Sequence, residues 1–450
     1  MKKLWLIFCF IPWLFVKGQL LKQDFIVSGP MLGQVELRTA ALWIQVSRDV
    51  HSVILNYWKK GHPDASSQLN YDGILGKEFN PVRIEIGGLD INSDYEYQFI
   101  INHIKSKATG SIHTKDLWQW RKPAPDFSFL TGSCAYFNDP PYDRPGKPYG
   151  GDSVIFESMA RDSSAFTLWL GDNWYTREAD LLSPWGLWYR ASRDRSQPVL
   201  RNLLKRMPQY AIWDDHDFGP DNSGYSFGLK DVSREIFMKY WCNPYYGEND
   251  QGIYCQVSYS DVDLFLTDDR FFRSADNLED SINAKPNPDK HFFGYRQLNW
   301  LEDALVQSLA TFKIIVVGSQ VLNPMSTDEG FFNYSYEFHE LMEFLDRSRI
   351  KGVLFLTGDR HHSEIVKTVR SGNYDLFDIT ISPFTSGVAK VKGQEINNPS
   401  RISGSLIEQR NYAKILVDGM KNERILHVQI HDVDGKNLYN WSVTEKQLMR

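Results

Sequence analysis

The residues best suited to chemistry are Asp214-Asp215-His216-Asp217, three carboxylates and an imidazole in consecutive positions. They follow the apolar run Tyr210-Ala211-Ile212, which reads as the end of a buried strand, and Gly219-Pro220 halts any regular element after them. Crowded carboxylates repel one another, and hard cations bound among them remove that cost. Alone, the cluster reads equally well as an acidic, solvated turn, so its partners elsewhere decide. Cys134, Asp172 with Tyr175, Asp269, Gln320, and Asp359 with His361 also stand just after apolar, strand-like runs. In a mostly parallel sheet such strand ends share one edge, where ligands bind. One metal centre assembled from these donors is the expectation. Asp172 and Tyr175 are three residues apart, a spacing that sets two side chains on one face of a helical turn. A free phenol ionises only near pH ~10, so a phenolate ligand calls for a strongly Lewis-acidic ion such as ferric iron. A Cys134 thiolate suits iron too, and such ligation explains an unpaired thiol.

The elements that must position these donors are those of an α/β sheet. From Asp126 onward, strand-like runs (Phe127–Leu130, Phe166–Leu170, Val262–Leu266, Phe312–Val317, Gly352–Leu356) alternate with helical spacing (Asp152–Arg161, Val199–Arg206, Gln297–Ser308, Phe338–Arg347). Ala413–Val417 and Arg424–Ile430 read instead as antiparallel strands, with Asp432-Val433-Asp434-Gly435 as a hairpin turn. Residues 24–116 have a different pattern. Short strands at Glu36–Val46, Val50–Trp58, Arg83–Ile86 and Ser93–Phe99, with a Gly87-Gly88 turn, predict a β-sandwich. Leu89 followed by Tyr95 and Tyr97 resembles the tyrosine-corner strand of fibronectin type III modules. Trp118–Pro125 reads as a linker, so the expected domains are a β-sandwich over 24–116 and an α/β domain over 126–445.

Composition excludes some classes. A chain of 450 residues, 42% hydrophobic and 24% charged, is globular and long enough for two domains. A formal net charge of -6 without any Lys/Arg run argues against a nucleic-acid-binding surface. Lys2-Lys3 ahead of the apolar Leu4–Val16, then Val16-Lys17-Gly18 before Gln19, has the layout of a secretory signal peptide over residues 1–18. Its apolar core is too short to span a bilayer comfortably. The expectation is an exported chain, periplasmic or extracellular, without a transmembrane helix after cleavage; attachment to the cell surface stays open. Thiols tend to pair in an oxidising compartment. Cys242 and Cys255 are therefore expected to form a disulfide worth about 3 kcal/mol, leaving Cys134 free.

Taken together, Gly132-Ser133-Cys134, Gly171-Asp172-x-x-Tyr175, Trp213-Asp214-Asp215-His216-Asp217, Gly318-Ser319-Gln320, Gly358-Asp359-Arg360-His361-His362-Ser363 and Ser382-Pro383-Phe384-Thr385-Ser386-Gly387-Val388 resemble the alkaline phosphatase D (PhoD-like) family of calcineurin-like metallophosphoesterases. The resemblance implies a four-layer αββα sandwich preceded by an all-β fibronectin- or immunoglobulin-like domain. It implies Fe3+ and Ca2+ as cofactors, with another divalent pair as the alternative. It also implies that Cys134, Asp172, Tyr175, Asp215, Gln320, Asp359 and His361 are metal ligands, with Asp172 bridging and Tyr175 on iron, and that His216 is the catalytic imidazole. Oxygen donors in place of His suit calcium better than zinc. Which ligand serves which ion is open. Arg360 and His362 alternate with the proposed ligands and are expected on the opposite side of the strand end.

The chemistry that follows is phosphate-ester hydrolysis, in which a metal-activated hydroxide attacks phosphorus in line with the leaving alkoxide. His216 stabilises the transferring group or protonates the leaving group. Asn222 is expected to hydrogen-bond a phosphate oxygen and Arg270 to clamp it, although Arg270 reads equally as an ion-pair partner of Asp268 or Asp269. The expected protein is an exported, monomeric phosphomonoesterase or phosphodiesterase acting on a small phosphate ester. The other readings are a phospholipase D-type phosphodiesterase on the same scaffold, and a non-enzymatic surface binding protein with a structural metal site. The last leaves the Asp215-His216 pair without a purpose.

Overall fold

A computed structural model describes residues 25–325 and 329–449. The signal peptide expected over 1–18 lies outside the described residues. Two sheets near the N-terminus face each other as a sandwich. One orders Ile26–Val35, Ala40–Val46 and Asn80–Ile86; the other orders Ser67–Asn70, Val53–Lys59, Asp94–Ile101 and Ile104–His113. Alternation does the sorting: Val82, Ile84 and Ile86 on one sheet, and Tyr95, Tyr97 and Phe99 on the other, turn into a shared apolar core while Glu85 stays in water. The Tyr95 hydroxyl accepts the backbone N–H of Asp90 at 2.9 Å, closing the corner that Leu89 and Tyr95 predict. On its outer side this sandwich leans on the rest of the chain. The Trp43 indole donates to the Lys239 carbonyl at 2.8 Å, and Ser28 donates to the Arg195 carbonyl at 2.6 Å.

The remainder is a four-layer αββα sandwich. Its first sheet orders Gln209–Ile212, Thr167–Leu170, Phe127–Gly132, Asn411–Asp418, Ile425–Asp432 and Asn437–Thr444. The second orders Cys255–Tyr259, Val262–Leu266, Phe312–Val317, Val353–Thr357, Leu376–Thr380 and Glu364–Thr368. In each sheet three or more neighbouring strands are parallel, so their C-terminal ends come out at one edge. Phe312–Val317 and Val353–Thr357 are buried along their whole length, as strands covered on both faces must be. Helices cover the outer faces with apolar stripes, such as Leu298, Leu301 and Leu305 on Tyr295–Gln307.

The expected disulfide is absent: Cys242 and Cys255 are both free and buried. Cys242 packs against Gly33 of the N-terminal sandwich, where a Cβ on that glycine would stand 2.2 Å from its own Cβ. Cys255 opens the edge strand Cys255–Tyr259 of the second large sheet. Closeness in sequence does not bring the two sulfurs together, because Cys242 is held against the N-terminal sandwich and Cys255 in the ladder of the second large sheet.

Candidate active site

The two large sheets meet at the edge where their parallel strands end, and glycine permits the approach. A Cβ on Gly358, from the second sheet, would stand 2.7 Å from the Leu170 carbonyl oxygen and 2.8 Å from the Ser133 Cβ, both of the first sheet. Gly171 takes φ +97°, a left-handed conformation that L side chains rarely adopt. Just beyond these glycines, Cys134 (φ 62°), Asp172 (φ 53°), Asp359 (φ 66°) and His361 (φ 56°) hold the left-handed conformation without being glycine. Each pays about 1–3 kcal/mol for it, and each is turned so that its side chain leaves the strand direction.

The outcome is two overlapping donor groups. Cys134 Sγ, an Asp172 oxygen and a His361 ring nitrogen lie within 4.8 Å of one another; so do oxygens of Asp172 and Asp215 with a His216 nitrogen. Asp172 belongs to both. The Tyr175 hydroxyl donates to Asp172 at 2.8 Å and lies 3.1 Å from His361 Nε2. The three-residue spacing of Asp172 and Tyr175 therefore does bring them together. Asp359 lines the same cleft, which encloses about 1110 Å³, and its carbonyl oxygen lies 3.7 Å from the Cys134 thiol.

A four-residue helix, Asp215–Phe218, presents Asp215 and His216. Asp214 caps it, with Asp217 closing the reciprocal capping box. Asp217 also accepts the backbone N–H groups of Asn173 (2.7 Å) and Trp174 (3.1 Å), so it holds the Asp172–Tyr175 turn against the His216 helix. The His216 ring packs against Tyr175 with centroids 4.2 Å apart and planes tilted by 32°, and its Nε2 lies 3.5 Å from Asp221.

Electrostatics mark the cluster as built for positive charge. Burial pushes the Cys134 thiol up to about 12. Burial, with the charge of Asp172 behind it, drives the Tyr175 phenol well above its usual value. Burial and then the neighbouring charges of Cys134, Asp215 and Asp217 hold the Asp172 carboxyl well above the carboxylate range. Asp215 goes the other way: burial is outweighed by His216, Arg270 and the backbone N–H groups of Asn222 and His216, which bring it to about 2. Burial, then the charge of His216, lowers His361 to about 4, leaving its imidazole neutral as a ligand must be. By themselves the thiol, the phenol and one carboxyl keep their protons; a cation among them reverses that balance. Thiol, phenol, imidazole and shared carboxylate suit iron, and carboxylate oxygens suit calcium. The residues present fit such a pair.

Other expected site residues are placed differently. Gln320 is buried, and its amide donates to Glu364 (2.8 Å) and Thr380 (3.1 Å) while its oxygen accepts from Asn323 (2.9 Å), which uses it up as structure. Arg270 is fully buried and is paired with Asp214 and Glu329, not with Asp268 or Asp269, so it does not reach a phosphate in the cleft. The Asn222 backbone N–H donates to Asp215 at 2.8 Å, and its side-chain amide, nitrogen toward Glu329, donates there at 2.6 Å. It orients Asp215. Arg360 and His362, expected on the far side, both border the cleft; Arg360 pairs with Glu395 at 2.7 Å, and His362 is buried 3.7 Å from Glu364.

Two contributors went unread in the sequence. Tyr149 donates or accepts at His361 Nδ1 over 2.9 Å, and its ring packs 5.0 Å from Tyr136. It sits in a Pro- and Gly-rich loop with no periodicity to single it out. Glu329 joins Arg270 to Asn222, again without a local signal. Asp217 did have one: Asp214-x-x-Asp217 has the spacing of a capping box.

A family model described as PhoD-like phosphatase matches residues 129–449. No curated protein matches the chain. Among solved structures, the chain is similar to that of PhoD, with a TM-score of 0.73 and 15% identity over 93% of this chain and 92% of that one. It is also similar to purple acid phosphatase PPD1 from yellow lupin (Lupinus luteus) seeds, with a TM-score of 0.66 and 10% identity over 92% of this chain and 74% of that one. At these identities the likeness to the solved structures is one of fold.

Proposed function

The chain belongs to the PhoD-like phosphatase family, and from that premise we propose that it is an exported, metal-dependent phosphatase of small phosphate esters. Its broader class, a metallophosphoesterase and so a phosphoric ester hydrolase, comes with the family. The observation that carries the finer reading is Asp172, one carboxylate belonging to two donor groups. Cys134, Tyr175 and His361 would hold Fe3+ and Asp215 would hold Ca2+, with Asp172 common to the two donor groups and Asp359 completing the set. Bound there, the ions would supply Lewis acidity, polarising phosphoryl oxygens and lowering the pKa of water.

The chain's own groups do the rest. His216 is partly open to the cleft, with Nε2 near Asp221, and is placed to carry a proton from that atom to the leaving oxygen. Asp217 and Asn222 fix the two carboxylates that flank it. Tyr149 holds Nδ1 of His361 and so orients the ring, leaving Nε2, on the side of Tyr175, as the nitrogen that would face an ion. A purely structural metal site has no need of His216 at the cleft surface, which favours the enzyme over a binding module. Residues 24–116 and 126–445 are read as the two domains of a monomer, the sheet arrangement supporting that division. No described helix is long and apolar enough to cross a membrane.

The test is hydrolysis of 4-nitrophenyl phosphate against bis(4-nitrophenyl) phosphate, by protein purified from its native compartment, with elemental analysis of the same sample. Turnover of the monoester with iron and calcium bound supports the proposal. Preference for the diester points to the phosphodiesterase reading, and no turnover of either with metals loaded removes the enzyme.

A further inference from the structure

We infer that the cleft carries a second anion-binding position at Lys390 and Lys392, so that the substrate is a phosphate ester bearing another anionic group, phosphate or carboxylate, on its leaving portion. The inference rests on the reading of the cleft as a phosphatase site. At about 1110 Å³ the cleft exceeds what one phosphoryl group fills; clefts of roughly 300–1,000 Å³ take whole drug-sized ligands. Its charged lining is mostly spoken for. Asp276 accepts from Arg273 (2.7 Å) and Tyr334 (2.6 Å), Asp280 accepts the Ser335 N–H (2.8 Å), and Glu395 holds Arg360 (2.7 Å). Lys290, itself buried, donates to the Asp276 carbonyl at 3.1 Å.

Lys390 and Lys392 differ. Both line the cleft, both are exposed, and neither side chain makes a hydrogen bond or ion pair with the described residues. The backbone beneath them is fixed all the same. The Ala389 N–H donates to the His361 carbonyl at 3.0 Å, and the Val391 N–H donates to the Glu408 carboxylate at 2.9 Å. Lys390 is therefore anchored between two pinned residues, one bonded to a strand end that supplies the metal site. The phosphoryl group under attack would have its charge met by the ions that the donor groups would hold, which leaves these ammoniums for a different anion. Lysine serves as a point charge for phosphate or carboxylate.

The experiment compares alkanediol bisphosphates of increasing chain length with the matched ω-hydroxyalkyl monophosphates, and uses ω-carboxyalkyl phosphates to separate the two anion types. At one favoured length the bisphosphate or the carboxylate should exceed the monophosphate in kcat/KM by about tenfold, mostly through KM. K390Q/K392Q should bring that ratio close to one, K390R/K392R should keep it, and thermal melts check that each variant folds. A ratio near one at every length, a ratio indifferent to length as diffuse steering would give, or a ratio that survives K390Q/K392Q overturns the proposal. If no phosphate is released from any compound, the phosphatase reading fails. The lysines are then judged by calorimetric binding of an alkanediol bisphosphonate, where K390Q/K392Q should weaken affinity about tenfold and equal affinity would overturn the subsite.

Discussion

The N-terminal sandwich and the cleft edge both take β-strands to a sharp change of direction, and they do it with different chemistry. In the sandwich, the non-glycine residues with positive φ are Asn92, Asn102 and His103. Asn102-His103 forms the two-residue turn between Asp94–Ile101 and Ile104–His113, where that backbone is the standard solution. At the cleft the same conformation is forced on Cys134, Asp172, Asp359 and His361, none of which prefers it over glycine. The sandwich core holds no charged group: the Tyr95 hydroxyl is satisfied by a backbone N–H, and the Tyr97 hydroxyl is buried without a partner among the described residues. The cleft buries Asp172, Asp214, Asp215 and Asp217 side by side. Strain and like charge are thus concentrated in one place and kept out of the other, which is where a protein built to bind cations should put them.

The largest effects should separate the two regions cleanly. Asp172→Asn removes the shared carboxylate. Bound iron and calcium should fall together, and kcat should drop on the order of 10³-fold or more. Stability of the metal-free protein should hold or rise, because a carboxyl penalised by burial and by Cys134, Asp215 and Asp217 is gone. Full metal content in Asp172→Asn, by elemental analysis, would remove Asp172 from the ligand set. Phe99→Ala, at a fully buried sandwich position, should do the opposite: about 3–5 kcal/mol lost in denaturant unfolding, with metal content and kcat retained in the folded fraction. Loss of metal from Phe99→Ala would mean that the two regions are one energetic unit.

How far the sequence displays this contrast depends on where the partners lie. The fold was legible because several strands are apolar runs stopped by glycine, as at Leu170-Gly171-Asp172 or Thr357-Gly358-Asp359, and because Asp172 and Tyr175 sit on one local turn. Gln320 ends a strand in the same way, yet Glu364 and Thr380 claim its amide from distant strands. Arg270 has acidic neighbours on its N-terminal side, but its partners Asp214 and Glu329 arrive from 56 and 59 residues away. Cys242 and Cys255 are the converse case, near in sequence but held by different partners, the N-terminal sandwich for one and the Val262–Leu266 strand for the other. Local pattern specifies the strand ends, whereas pairing among buried polar groups is decided by tertiary closure.

Support residues should show the same contrast at smaller scale. Glu329→Gln keeps shape but removes the carboxyl that pairs with Arg270 and accepts from Asn222, whose backbone N–H holds Asp215. Metal affinity, measured by chelator competition, should weaken about 10–100-fold. Unchanged affinity would show that Asp215 is held without this relay. In the sandwich, Tyr95→Phe removes the hydroxyl that accepts from Asp90. That should cost about 1 kcal/mol of stability and leave metal affinity as it was.

The smallest expected effect is a matter of pH. His291 lies in the loop beside the cleft, with Nδ1 2.9 Å from Glu337, a buried carboxylate that also accepts the N–H groups of Phe292 and Phe293. The hydrogen bond to Glu337 raises the His291 pKa above 6.5 against the opposing effect of burial. A histidine raised on folding contributes stability that is fully present below the unfolded value and is lost as pH rises through the folded one. The ring is 41% exposed, so solvent screening limits the contribution to under about 1 kcal/mol. His291→Asn should therefore lower the unfolding free energy more at pH ~5.5 than at pH ~8.5, on either side of the ordinary histidine range. His113 pairs with Asp94 on the open face of the sandwich at 2.8 Å, with both side chains more than half exposed. His113→Asn should shift stability by less than about 0.5 kcal/mol at either pH. Equal pH dependence in the two variants would mean that the buried carboxylate confers no advantage on the cleft side. A dependence confined to His291→Asn would show that even at its margin the cleft side holds charge more tightly than the sandwich does.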